Sequence, residues 1–306
     1  MYSRLAVPFA LVLVLAPCPP GRVSDQAAGR PIILLVHGRG MVDRDTAATR
    51  RLWLDGLRKG ASSINRQPLI DDADVRLVWY ADVLDPRSPD VCEFSPDDPR
   101  ARRDRAEDPE LKSVMSIAGT LLGAVTTLVA DSESSSQLRA LAADASFLSD
   151  ARKRCASEQR LGTALERARA EGRPVIVVAH SLGSILAYDY LSTRVDTDIV
   201  QELVTVGSPL GSPYLRRLLI GGDERDTLSR PASVKTWTNI HNADDPIGTA
   251  VPGVQDITTS APADELDPHE MVGYLRTPTT AREILRGWCA AFTTERPPGC
   301  KDVMSK

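Results

Sequence analysis

The sequence predicts an α/β protein built on a doubly wound, mostly parallel sheet. Three observations point to it. Short apolar runs recur along the chain, as expected for strands covered on both faces. Stretches of helical period alternate with them, which gives βαβ units and parallel pairing. At 174–188 a β-branched run passes into a helical segment through Ala179-His180-Ser181-Leu182-Gly183, a strand, a sharp turn and a helix with a serine at the apex.

Residues 31–36 (Pro-Ile-Ile-Leu-Leu-Val) form the first strand, and His37-Gly38-Arg39-Gly40 leaves it. Over 46–60, Leu52, Trp53 and Leu57 make an apolar stripe, Arg50, Arg51, Arg58 and Lys59 face water, and Gly60 ends the helix. Residues 75–80 (Val-Arg-Leu-Val-Trp-Tyr) are the next strand.

Residues 83–155 break the rhythm. The stretch 84–108 is rich in Pro, Asp and Arg and has no period. The stretch 111–130 is nearly apolar and carries Gly119 and Gly123 at the spacing that lets helices approach closely. It is long enough to span a bilayer, but the strands before and after it must pair in one sheet, which a single span would divide across the membrane. A helical insertion is expected instead, with 137–150 (Leu138, Leu141, Ala145, Leu148) as its second helix.

The alternation then resumes. A helix over 156–171 closes at Gly172, a strand covers 175–178, and a helix runs from about 185 to 191. Further strands fall at 199–206 and 234–240, a short helix at 214–220, an extended segment at 254–257 and a closing helix at 279–292. Residues 31–82 and 156–293 thus form one core around the insertion 83–155, with 294–306 as a C-terminal tail.

The chain has 306 residues, enough for one large α/β domain with an elaboration. Its net charge of -4, with no concentrated basic face, leaves nucleic-acid binding without electrostatic support. Residues 1–22 read as a signal peptide or N-terminal anchor: Arg4 precedes the apolar run 5–16, which is short for a membrane span and is broken by Pro17-Cys18-Pro19-Pro20. Pro17 disfavours lipidation of Cys18. The expected location is secreted or cell envelope. Cys92, Cys155, Cys289 and Cys300 remain, an even set that suggests disulfides in an exported chain. Four cysteines allow three pairings; local pairing, Cys92–Cys155 and Cys289–Cys300, is preferred because it staples the insertion and ties down the tail.

Functional groups of an open parallel sheet gather at the carboxyl ends of its strands. Ser181 falls there, Asp244 and Asp245 follow the strand 234–240, and His269 lies in the next connection. A serine hydroxyl needs a base to take its proton as it attacks. A neutral imidazole can do so, and a carboxylate behind it fixes its tautomer. Of the four histidines only His269 follows the acid in a loop. His37 and His180 read as structural residues shaping the turn, and His241 as a packing residue. Pro246 biases its predecessor to extended backbone, which favours Asp245 over Asp244 as the acid. Ala179 and Gly183 suit the tight turn, and the Leu182 N–H, at a helix start, is free to meet an oxyanion. Nothing in the sequence implies a metal or organic cofactor.

His37-Gly38-Arg39-Gly40, Ala179-His180-Ser181-Leu182-Gly183, Val206-Gly207-Ser208-Pro209, Asn242-Ala243-Asp244-Asp245-Pro246 and His269 together resemble the α/β-hydrolase superfamily, in particular its lipase/esterase-like serine hydrolases. The resemblance implies an α/β-hydrolase fold with a helical lid insertion and a nucleophile elbow at Ser181. It also implies an Asp-Pro-Ile acid segment similar to the family's Asp-Pro-Val, and Arg39 as the backbone partner of Leu182 in an oxyanion hole. It implies cleavage of carboxylic esters, those of small molecules or lipids, with the lid or the N-terminus making peripheral membrane contact. The fold also hosts peptidases, amidases and thioesterases, so it does not name the substrate; a membrane-tethered amidase, peptidase or thioesterase and a non-catalytic α/β-hydrolase-like binding protein are the alternatives, the latter opposed by the full Ser, Asp and His set.

Overall fold

The structure is a computed structural model that describes residues 28–42, 44–64, 69–84, 88–89, 91–93, 150–194, 200–213, 228–260, 262 and 267–305. The expected export segment 1–22 with Cys18, the apolar segment 111–130, the helix 137–150 apart from Asp150, and the helix 214–220 lie outside the described residues.

Among the described residues six strands form one sheet: β1 (Ile32–Val36), β2 (Val75–Val78), β3 (Val175–His180), β4 (Val200–Val206), β5 (Val234–Asn242) and β6 (Gln255–Thr259). Their order is β2-β1-β3-β4-β5-β6 and every pairing is parallel. Around them lie α1 (Thr46–Ser62), α2 (Ala81–Leu84), α3 (Ala151–Ala170), α4 (Leu182–Ser192), α5 (Met271–Arg276), α6 (Pro278–Ala290) and α7 (Cys300–Met304).

The core has two layers because successive strand residues point to opposite faces. Leu34, Val36, Val177 and Ala179 pack with Leu161 and Leu165 of α3 and Ile185 and Leu186 of α4. Ile33, Leu35, Ile176 and Val178 pack with Trp53, Leu54 and Leu57 of α1 and Ile284, Leu285 and Trp288 of α6. Both faces of β1 and β3 are covered, so their sequences are apolar without alternation. From β1 the chain steps outward to β2, then returns to place β3 on the other side of β1. The order therefore reverses between β1 and β3, the point beyond whose strand carboxyl ends open α/β sheets bind their ligands. His37 and Ser181 leave the sheet there.

Helix boundaries differ from the sequence reading: α1 runs past Gly60 to Ser62, α4 starts at Leu182 rather than about 185, and two further differences are larger. α3 starts at Ala151 rather than 156: the Asp150 side chain accepts from the Lys153 N–H at 3.1 Å and caps a turn expected to close the insertion. The closing helix is Pro278–Ala290, capped by Thr277, and α5 precedes it unannounced, being too short at 6 residues to show a period.

Cys92–Cys155 and Cys289–Cys300 are disulfides with Cα–Cα separations of 5.7 and 5.5 Å, the local pairing. Such bonds suit an oxidising, extracellular-type environment. Among the described residues no helix is long and apolar enough to cross a membrane.

Candidate active site

Ser181 follows the last ladder pair of β3 and β4, and its N–H donates to the Val206 carbonyl at 3.2 Å. Its φ of +51° is the one positive value at a non-glycine among the described residues. An L-residue resists that conformation, so the surroundings must hold it. The Ser184 N–H and hydroxyl both donate to the Ser181 carbonyl, at 2.9 and 2.5 Å, and the Ser184 hydroxyl shares a hydrogen bond with that of Ser208.

Close approach of backbones explains the small residues of the turn. A Cβ on Gly183 would lie 2.3 Å from the His37 carbonyl oxygen and 2.9 Å from that of Val36. A Cβ on Gly38 would lie 2.9 Å from the Ser181 Cβ. The β1 loop is thus laid against the start of α4 and against the serine. Leu182 is the first residue of α4, where an N–H has no acceptor within the helix. Arg39 follows Gly38 on the facing loop.

The acid sits in the turn after β5, where the Asp245 N–H donates to the Asn242 carbonyl at 3.1 Å. Its carboxylate is buried and receives His269 Nδ1–H at 2.9 and 3.0 Å, the Tyr274 hydroxyl at 2.6 Å and the Ile247 N–H at 2.8 Å. Burial alone would raise its pKa. The hydrogen bonds outweigh burial and hold the carboxyl below its ordinary value. Asp244 points outward and is exposed.

His269 lies in the loop before α5, its N–H bound to Asp267 Oδ1 at 2.9 Å. With the Nδ1 proton given to Asp245, Nε2 is the bare nitrogen. It stands 3.0 Å from Ser181 Oγ. The structure therefore brings Ser181, His269 and Asp245 into one hydrogen-bonded line, with Leu182 next to the serine at the start of α4 and Gly38, the residue before Arg39, laid against the serine.

The other histidines lie elsewhere in the network. His37 accepts the Tyr80 N–H at Nε2 (3.1 Å), donates from Nδ1 to the Gly38 carbonyl (2.6 Å) and stacks on the Tyr80 ring at 4.0 Å. Burial pushes its pKa down to about 4, so it shapes the β1 loop as a neutral ring. His241 pairs with Asp256 at 3.2 Å within the β5–β6 pair. His180 does not merely shape the turn: its Nε2–H donates to the His269 carbonyl at 2.7 Å.

Sequence reasoning missed Tyr274. It reaches Asp245 from α5, and burial first, then the carboxylate charge, raise its pKa and keep the phenol protonated as a donor. The only signal for it was an aromatic five residues past His269. Among the described residues no group of three or more His, Cys, Asp or Glu side chains is placed to hold a metal ion.

A bare imidazole nitrogen at hydrogen-bond distance from a serine hydroxyl, backed by a buried carboxylate, can take the hydroxyl proton as the oxygen attacks an electrophilic carbon. No protein-family model matches the chain, and no curated protein matches it in sequence.

Proposed function

We propose that the protein is a serine hydrolase that cleaves carboxylic esters, lipid esters among them, through an acyl-enzyme on Ser181. The single observation that carries the reading is the line Ser181 Oγ–His269–Asp245, with contacts of 3.0 and 2.9 Å, at the point where the strand order reverses. The α/β-hydrolase fold, a lid role for 83–155 and export to the cell envelope or beyond go with this reading.

The proposed steps use the groups of this line in turn. His269 Nε2 takes the Ser181 proton as Oγ attacks the ester carbonyl, and the imidazolium is stabilised by Asp245. The negative charge then grows on the former carbonyl oxygen, to be met by the Leu182 and Arg39 N–H groups, one such donor being worth on the order of 3 kcal/mol of barrier. Collapse expels the alcohol, which takes the proton from His269. Water attacks the acyl-enzyme by the same route, with His269 again as base. The positive φ of Ser181 serves this sequence by raising the hydroxyl above strand and helix.

The test is labelling by a fluorophosphonate, with the adduct located by mass spectrometry, beside turnover of p-nitrophenyl esters of graded acyl length. Labelling at Ser181, and turnover that falls to background in Ser181→Ala with the fold intact, are the expected results. Undiminished turnover in that variant would reject the mechanism.

A further inference from the structure

Two consecutive residues hold His269. Ser181 Oγ meets its Nε2 at 3.0 Å, and the His180 Nε2–H donates to its carbonyl oxygen at 2.7 Å. Together with the peptide link between His180 and Ser181, these contacts close a ring between the end of β3 and the loop before α5. The imidazole can drift from the serine only if one of the two contacts yields. We propose that His180 is a positioning residue of the hydrolytic site, clamping the His269 backbone to the sheet so that Nε2 stays aimed at Ser181 Oγ. The proposal rests on the serine-hydrolase reading above.

Three features fit a clamp. The direction of the bond is fixed, because a carbonyl only accepts and His180 Nε2 must therefore carry the proton. The ring is buried and neutral: burial first, and then the nearby His269, push its pKa down to about 3. With the two ring centroids 4.7 Å apart, a charged His180 would oppose the imidazolium that His269 must form. A place is also kept for the ring, since a Cβ on Gly38 would lie 3.1 Å from His180 Nδ1. Asp245 holds the His269 ring at 2.9 and 3.0 Å, but the other ties on the backbone of this loop are weaker or local. Asp267 caps the His269 N–H from two residues away, and Asn242 Nδ2 reaches the Pro268 carbonyl only at 3.5 Å.

The experiment compares His180→Phe, which keeps a ring without a donor, with His180→Gln, whose side-chain amide can reach the same carbonyl; His180→Leu replaces the phenyl variant if that does not fold. Steady-state kinetics on a p-nitrophenyl ester is one readout. The downfield proton resonance of the His269–Asp245 hydrogen bond in the resting protein is the other, and it needs no substrate. In His180→Phe, kcat is expected to fall about 10- to 100-fold with KM changed by no more than about twofold, as a misplaced base would give. The resonance should broaden in the same variant. His180→Gln should recover most of kcat and the sharp resonance. Equal losses in the two variants, an effect on KM alone, or an unaltered resonance in His180→Phe would overturn the role. A wild-type protein that turns over no ester and takes no fluorophosphonate would sink the hydrolase reading instead, while the resonance still decides the clamp.

Discussion

The Tyr274 hydroxyl donates to Asp245 Oδ2 at 2.6 Å and accepts from the Asn242 N–H at 2.9 Å. One phenol thus serves the acid and the end of the strand that carries it. Tyr274→Phe takes a donor from a buried carboxylate and an acceptor from a buried N–H. The expected loss is about 1.5–3 kcal/mol of stability at neutral pH, read by chemical denaturation. Because Asp245 has a lowered folded pKa, its hydrogen bonds stabilise the fold above its unfolded value, and that contribution fades as pH falls through the folded one. The penalty of the substitution should therefore shrink in acid. Ester turnover should fall about 10-fold or more, as when a supporting partner behind a reacting group is removed. A variant as stable and as fast as the wild type would show the phenol to be idle.

Gly183→Ala tests the contact of α4 with the β1 loop. The new Cβ would meet two backbone oxygens, which cannot swing aside as a side chain can. Overpacking of this kind costs about 1–3 kcal/mol. The helix start must shift, carrying the Leu182 N–H with it, so turnover should drop by as much as about 100-fold. Thermal melting and kcat measured together check this; loss of stability with full activity would contradict it.

Glu202, on β4 under α6, makes the fold sensitive to alkali. Burial first, and then repulsion from Glu283, raise its pKa to about 7, although the Thr238 hydroxyl bonded to it at 3.0 Å and the Arg286 charge pull the other way. The folded protein binds this proton more tightly than the unfolded chain, so the contribution is full below the unfolded pKa of 4.5 and is lost as pH rises through about 7. The loss amounts to roughly 3 kcal/mol by pH 8, at 1.36 kcal/mol per unit. Glu202→Gln keeps an oxygen for Thr238 and cannot ionise. Its stability at pH 8 should exceed that of the wild type, and the two should converge near pH 5. Parallel stability curves across that range would rule the account out.

The disulfides should differ in worth. Cys92 and Cys155 are 63 residues apart, and Cys289 and Cys300 are 11 apart. Restriction of the unfolded chain gives about 4 kcal/mol for the longer loop and about 3 kcal/mol for the shorter. Serine at both positions of each pair, one pair at a time, measures the two by denaturant unfolding. A larger loss from the short loop would show that native contacts, not chain entropy, dominate.

The parts of the fold that were legible in the sequence are those set by local chemistry. The runs at 31–36 and 175–178 are apolar because the strands are covered on both faces, and Gly183 is small because a carbonyl oxygen leaves it no room. The Pro246 constraint singled out Asp245 over Asp244, and it is Asp245 that contacts His269. What stayed hidden depends on partners far along the chain. The bond of His180 to His269 spans 89 residues and that of Tyr274 to Asp245 spans 29, and neither ring carries a local sign of where it will point. The early start of α3 was masked for another reason: its first turn, Ala151-Arg-Lys-Arg154, has no apolar stripe, and Arg154 is nevertheless buried, paired with Asp189 of α4 at 3.3 Å.

The bridge from Cys92 to Cys155 fixes what cleavage by a protease can do to this chain. Any single cut between those two positions leaves the pieces covalently joined. Nicked molecules would run as one band on a denaturing gel without thiol and separate into two only after reduction. Clipping within that stretch, in culture fluid or during purification, would go unnoticed by size alone.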